Sequence, residues 1–374
     1  MSFLQTQRNA FGRVHRIRRF RTKNTTFGES SLLHLLYDKA NFSVLALILI
    51  ERGRLYLYDP LLTFDPRFRF LKVLHNEGVM EPVKSTIKVE HLLTYCAGFF
   101  YEFLLGCQTA AYYREVNLLD DGTHNLDDTM GIFSKLPFAF HLGDNWRYGV
   151  VTDVLAHVIE RATGERIDCL LKKYNFGTIG MLDTTYGFKD DQLPRLMSLY
   201  ENEDLVRLPT FERVPYELRG LDVSHVYPNQ SIVFFRGGHG LYSTLNDYCA
   251  FILMLLSGKS DAGEQLLSQR TLSIMHANKL PDSHHTLRIG IIVLPRYGWN
   301  LTGRIMTNFA KAHCTHAIQD ELRWAGAART YFWVDPRGEI TGVIMTQFIR
   351  SNFLLSDDMM TVFYDLMKKV TLGY

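Results

Sequence analysis

The sequence predicts an α+β fold, in which an antiparallel sheet carries helices on its faces and a further lobe is mainly helical. Three observations lead there. Helix-length apolar patterns fill the middle of the chain, and β-branched and aromatic segments of strand length collect toward its end. No internal repeat or low-complexity tract interrupts them. With 374 residues, 47% of them hydrophobic, there is apolar material for a large core in one big domain or two lobes. The helical lobe is expected at about residues 80–235 and the sheet strands mainly at 286–350, within a single two-lobed domain spanning 29–374.

Residues 1–28 stand apart. They hold Arg8, Arg13, Arg16, Arg18, Arg19, Arg21 and Lys23 with no acid before Glu29, so they read as a disordered basic tail or a mitochondrial-type targeting segment. From Phe42 to Arg52 the pattern is helical, and Gly53 stops it. "STIKVEHLLTYCAGFF" offers a cap at Ser85 and a short helix ending near Gly98. Thr152–Tyr174 reads as an amphipathic helix, a break at Gly164 and a second helix. Ser243–Gly258 starts on a capping residue, runs helically and ends at glycine, and "LLSQRTLSIMHAN" adds a short helix. "TLRIGIIVL", "RTYFWVD" and "EITGVIMTQF" are strands, the last two joined by a "DPRG" turn. "SDDMMTVFYDLMKKV" closes the chain as a helix.

Composition narrows the function classes. A formal charge of +2 gives no general drive toward nucleic acid, and neither a zinc-finger spacing nor a glycine-rich phosphate loop is present. No cofactor is expected. The five cysteines (Cys96, Cys107, Cys169, Cys249, Cys314) are scattered and odd in number, which suits reduced thiols better than a disulfide framework. The longest apolar run, Phe42–Ile50, is far short of the ~20 residues of a membrane span. The expected location is the cytoplasm, with mitochondria as the alternative from the arginine-rich start.

Six segments, in order, resemble the serine β-lactamase-like superfamily. "ERGRLYLYDPL" is similar to its "EEGKLxLDDPV", and "TIKVEHLLTYCAGFFYEF" to its "ITIRDLLTHTSGLxYxF". "NWRYGVVTDVLAHVIERATGE" resembles "xWxYSxxxDVLGxVIExxSGx", and "FGTIGMLDTTYGF" resembles "FxPLGMxDTxF". "GGHGLYSTLNDYCAFILMLLSG" follows "GGGGLxSTxxDYxRFxxMLLNG", and "LRWAGAARTYFWVDPRGEITGVIMTQ" follows "FxWGGAAGTxFWVDPxxxLxGVxMTQ". The resemblance spans about residues 39–350. It implies a β-lactamase/transpeptidase-like fold with an incomplete or divergent N-terminal part. The "WxYG" and "WAG" segments point toward class C-like carboxylesterases and acyltransferases, also related to penicillin-binding proteins, and so to a small-molecule ester or amide substrate.

The chemistry implied by that family can be stated physically. A serine at the start of a buried helix attacks an acyl carbonyl, and a lysine one turn later faces the same side. A tyrosine from the helical lobe hydrogen-bonds both and shuttles the proton, while backbone N–H groups hold the oxyanion. By resemblance Lys39 is the lysine, fourteen residues before Gly53 as in the family. Tyr148 is the tyrosine. Trp324, Ala325 and Gly326 form the third motif, and the N–H of Ala327 would be the strand's oxyanion donor.

The chain departs from the pattern where the nucleophile belongs. Leu36 stands three residues before Lys39, so "LYDK" replaces "SxxK". Leucine has no nucleophilic atom. Ser43 lies on the face of Lys39 but one turn deeper, where burial is expected; Ser30 and Ser31 would need a shifted register. An altered start to a longer active protein would also account for the change, as would a pseudoenzyme that keeps the cleft for binding or scaffolding. Blander roles are weighed beside the sharp ones: a snorkelling surface lysine for Lys39, an ordinary core tyrosine for Tyr148, plain core for Trp324. Asp153 and Asp247 suit capping or ion pairing, His91 and His239 structural hydrogen bonds, and Cys96 a small buried side chain. The "KAHCTH" group at Lys311–His316 is weak evidence for a metal and is read as none.

Overall fold

In the computed structural model, the strongest β pattern of the sequence builds the middle of a seven-stranded antiparallel sheet. In chain order its strands are β1 (Ser2–Arg8), β2 (Val14–Arg21), β3 (Tyr297–Trp299), β4 (Arg304–Met306), β5 (Leu322–Ala325), β6 (Tyr331–Asp335) and β7 (Ile340–Met345). In space they run β3-β4-β5-β6-β7-β1-β2. The structure describes residues 2–8, 14–21, 33–35, 38–75, 78–102, 104, 108–116, 124–187, 190–201, 219–221, 232, 234–284, 286–289, 292–307 and 318–349. The helix expected at the end of the chain, the Lys311–His316 group, Ser30, Ser31, Leu36, Cys107 and Cys314 lie outside them.

The β6–β7 hairpin closes at the "DPRG" turn as expected, with Asp335 paired to Ile340. Its register sets Trp333 opposite Gly342, where a Cβ would fall 1.9 Å from the indole. Glycine is there so that the indole can cross the neighbouring strand.

Within the basic N-terminal segment, the described residues form two strands. β1 pairs with β7 from Ser2↔Met345 to Gln7↔Ile340, and β2 pairs with β1. The sequence does carry the signal, because "VHRIRRFR" alternates in part between basic and apolar residues, but the arginine content masks it. The paired backbone covers an edge of β7 that would otherwise present open hydrogen-bonding groups.

Three longer helices organise the rest: α1 (Lys39–Glu51), α2 (Val151–Thr163) and α3 (Leu245–Ser257). α1 is buried from Lys39 through Leu49, as its uninterrupted apolar run requires, and α2 packs against it. α2 ends at Gly164 (φ 73°) and α3 at Gly258 (φ 71°), both in the left-handed conformation that favours glycine. α3 begins at Thr244, whose side chain accepts the N–H of Asp247, and it lies on β1, β6 and β7. The helix expected from Ser85 is shorter, Val89–Leu93, with Lys88 at its start. There His91 accepts the Lys88 N–H through Nδ1 at 3.2 Å, the structural role expected of it. The helical part also carries a small hairpin of Lys72–Leu74 with Met80–Pro82. No described helix is long and apolar enough to cross a membrane. The described cysteines Cys96, Cys169 and Cys249 are unbridged.

Candidate active site

Lys39 opens α1 and is only 5% exposed. An ammonium cannot be buried without partners. Its Nζ donates to the Gly238 carbonyl at 2.9 Å and reaches the Tyr101 hydroxyl at 3.5 Å. It also lies 5.0 Å from the centre of the Tyr148 ring and 5.6 Å from that of Tyr101, both within cation–π range.

The carbonyl that receives Lys39 is itself held in place. Asp153, in the first turn of α2, accepts the N–H groups of Gly237 and Gly238 through Oδ1 at 2.8 and 2.9 Å. The two glycines permit that approach, since a Cβ on Gly237 would lie 2.1 Å from the Thr152 carbonyl oxygen. A Cβ on Gly238 would meet the Tyr101 hydroxyl at 2.8 Å. Asp153 therefore positions a site loop, a role that the readings of capping or ion pairing missed. The other expected aspartate, Asp247, accepts the Asp183 N–H and the Thr184 hydroxyl, tying two segments together.

Asp38, fully buried beside Lys39, accepts the Leu241 N–H at 2.9 Å. Burial pushes its carboxyl well above the usual range, while the Leu241 hydrogen bond and the charge of Lys39 pull it back in part. Just upstream, the backbone of Leu33–Leu35 pairs with Leu241–Ser243. The chain is thus anchored on both sides of Leu36, which itself is outside the described residues.

Tyr148 is half-buried among aromatic rings. Tyr95 stacks on it at 5.8 Å and 8°, and Tyr101 and Trp324 tilt against it at 5.2 and 5.5 Å. Burial raises the Tyr95 and Tyr101 hydroxyls well above the usual phenol range, with the neighbouring Tyr148 adding to it. Trp299 joins the cluster 4.7 Å from Trp324, its Nε1–H donating to the Leu93 carbonyl at 3.1 Å.

Trp324 and Ala325 end β5, paired to Phe332 and Tyr331 of β6. Gly326 donates its N–H to Thr330 at 2.9 Å and so closes a turn, in which Ala327 is exposed. The structure thus brings Lys39, Tyr148 and Trp324 together, and Ala325, Gly326 and Ala327 continue from Trp324 along the strand end and its turn. One detail differs from expectation: Lys39 faces the ring of Tyr148, and the hydroxyl it reaches is that of Tyr101. Sequence reasoning passed over Tyr101 and Gly238, although both lie in the matched segments "GFFYEF" and "GGHG". Ser43 is buried, as expected from its depth on α1. Cys96 is buried too, its thiol pushed up to about 11 by burial.

A model of the Beta-lactamase family matches residues 39–356. The chain belongs to that family. An uncharacterised protein of Mycobacterium tuberculosis is 26% identical over 311 residues, covering 81% of this chain and 73% of its own. Esterase EstB of Burkholderia gladioli is 27% identical over 209 residues, 53% of this chain and 50% of EstB. Among solved structures, EstCE1, described as a hydrolase with promiscuous acyltransferase activity, superposes with a TM-score of 0.74 at 20% identity, over 96% of this chain and 92% of its own. That superposition bears on the fold, a β-lactamase/transpeptidase-like α+β arrangement.

Proposed function

We propose that this family member is of the carboxylesterase or acyltransferase type and takes small esters or amides where α1, the Tyr148 loop and the end of β5 meet. The observation that carries the reading is the placement of the buried Lys39 ammonium 5.0 Å from the ring of Tyr148. In this reading Lys39 and Tyr148 move the proton of an attacking alcohol to the leaving group. Trp324, Ala325 and Gly326 line the acyl site, and the Ala327 N–H receives the oxyanion. The names of EstB and EstCE1 support the substrate class.

A second reading, a catalytically inactive binding or scaffold protein, is favoured by one specific feature. In the sequence Leu36 stands three residues before Lys39, where the family motif has its serine, and among the described contacts Lys39 meets a carbonyl and a tyrosine. An acyl-enzyme needs an alcohol there.

The two readings separate in one experiment on the folded chain. The catalytic reading expects hydrolysis of p-nitrophenyl butyrate and covalent labelling of a serine by a fluorophosphonate probe, both lost in Lys39→Ala and Tyr148→Phe. If neither turnover nor labelling occurs, the catalytic reading is abandoned. Should labelling occur, Ser43→Ala and Ser31→Ala identify the nucleophile.

A further inference from the structure

Away from the acyl site, three side chains converge in a way that the function above does not use. His75 immediately follows the strand Lys72–Leu74, and its backbone N–H donates to Val79 at 2.9 Å. Glu81 lies on the opposing strand, paired with Val73. His141 comes from the segment after Phe138, which docks on the same hairpin. There the Phe138 N–H donates to Lys72 at 2.8 Å, and the Leu74 N–H donates to Phe138 at 2.9 Å. Backbone hydrogen bonds thus hold His75 and Glu81 on the hairpin and dock against it the segment that leads to His141.

Both imidazoles aim the same nitrogen at the same atom. His75 Nε2 lies 2.8 Å from Glu81 Oε1, and His141 Nε2 contacts that oxygen as well. The rings are 5.8 Å apart and tilted by 59°, so their nitrogens converge and the rings do not stack. All three candidate ligand atoms lie within 4.8 Å of one another. We propose that His75, Glu81 and His141 bind a divalent transition-metal ion, with Zn²⁺ the best match.

The chemistry of the set supports this choice. Two neutral imidazoles and a carboxylate suit Zn²⁺, whose bonds to such ligands are about 2.0–2.2 Å. A small retreat of the Glu81 carboxylate makes room for the ion between the three groups. The side chains of His75 and Glu81 are 45% and 41% exposed, which leaves an entry path and an open position for water. The other convergent group, Asp65, Asp127 and His157, offers a contrast. Arg67 and Arg161 already neutralise it, whereas no described Lys or Arg forms an ion pair with Glu81.

A bound ion would also connect two parts of the fold. His141 precedes Tyr148 in a segment pinned by the Gly143 N–H to Cys96 and the Arg147 N–H to Tyr95. Metal there would fasten that segment to the hairpin.

The test uses metal-free full-length chain titrated with Zn²⁺ by calorimetry and with Co²⁺ as a spectroscopic probe. The proposal expects one equivalent bound, Co²⁺ bands of a four- or five-coordinate site, and a melting temperature raised by Zn²⁺. His75→Ala and Glu81→Gln, both at partly exposed positions, should each weaken binding by more than about tenfold and abolish the thermal shift. No saturable binding overturns the proposal. So does binding that survives both substitutions, or that is lost only in His313→Ala or Cys314→Ala.

Discussion

Around Lys39, single atoms decide what is tolerated. Gly237→Ala would set a methyl 2.1 Å from the Thr152 carbonyl oxygen, and both sides of that contact are backbone. We expect a loss of about 1–3 kcal/mol or more, read as a lower urea midpoint with an unchanged m value. Lys39→Met keeps the length of the side chain and removes the charge. It relieves the desolvation of an ammonium but leaves the Gly238 carbonyl without its donor, so the net cost is expected near 1–2 kcal/mol. The cost should grow with pH. The Asp38 carboxyl is already raised in the folded state by burial, and Lys39 restrains the shift. A raised folded pKa contributes stability below the unfolded value of about 4 and loses it as pH rises through the folded value. Removing Lys39 raises Asp38 further, so Lys39→Met should cost more at pH 8 than at pH 5. A penalty equal at both values would contradict this account of the Asp38–Lys39 pair.

Among the elements, the least conspicuous connection is a charged cluster behind the site. Asp65 accepts from Arg67 at 2.6 Å and meets His157 of α2 at 2.9 Å. Arg67 and Arg161 both reach Asp127, on the helix Leu126–Phe133. Burial would push the Asp65 carboxyl up, but its hydrogen bonds from Arg67 more than reverse this, and the net direction is down. A depressed folded pKa gives stability that is present above about pH 4 and lost as pH falls through the folded value. Asp65→Asn should therefore cost about 2–3 kcal/mol at neutral pH, moderated by the partial exposure of Arg67, and should flatten the acid limb of the stability curve. Denaturant melts between pH 3 and pH 7 check both. The sequence shows no sign of this cluster, because partners so distant in the chain leave no local pattern. The helices α2 and α3 were legible for the opposite reason: their glycine stops, Gly164 and Gly258, act within one turn.

For the molecule as a whole, the sheet depends on strands drawn from both ends of the chain. β1 and β2 extend it beyond β7, and they come from the segment whose arginines suggested a tail. A chain lacking residues 1–21 would leave the β7 edge open. We expect it to aggregate in light scattering at concentrations where the full chain does not, and to melt at a lower temperature. Equal stability and dispersity would show that β1 and β2 contribute nothing to the sheet.

The family segments told of the fold and of the Lys39, Tyr148 and Trp324 meeting, because short motifs at fixed spacing encode elements that can pack in one way. From the sequence came also the missing alcohol at Leu36. Only the tertiary structure decided that Lys39 faces a ring and a glycine carbonyl, that Asp153 fixes that carbonyl, and that His75, Glu81 and His141 converge. Each of these is a contact between segments far apart in the chain, set by packing and backbone pairing that residue order alone does not specify.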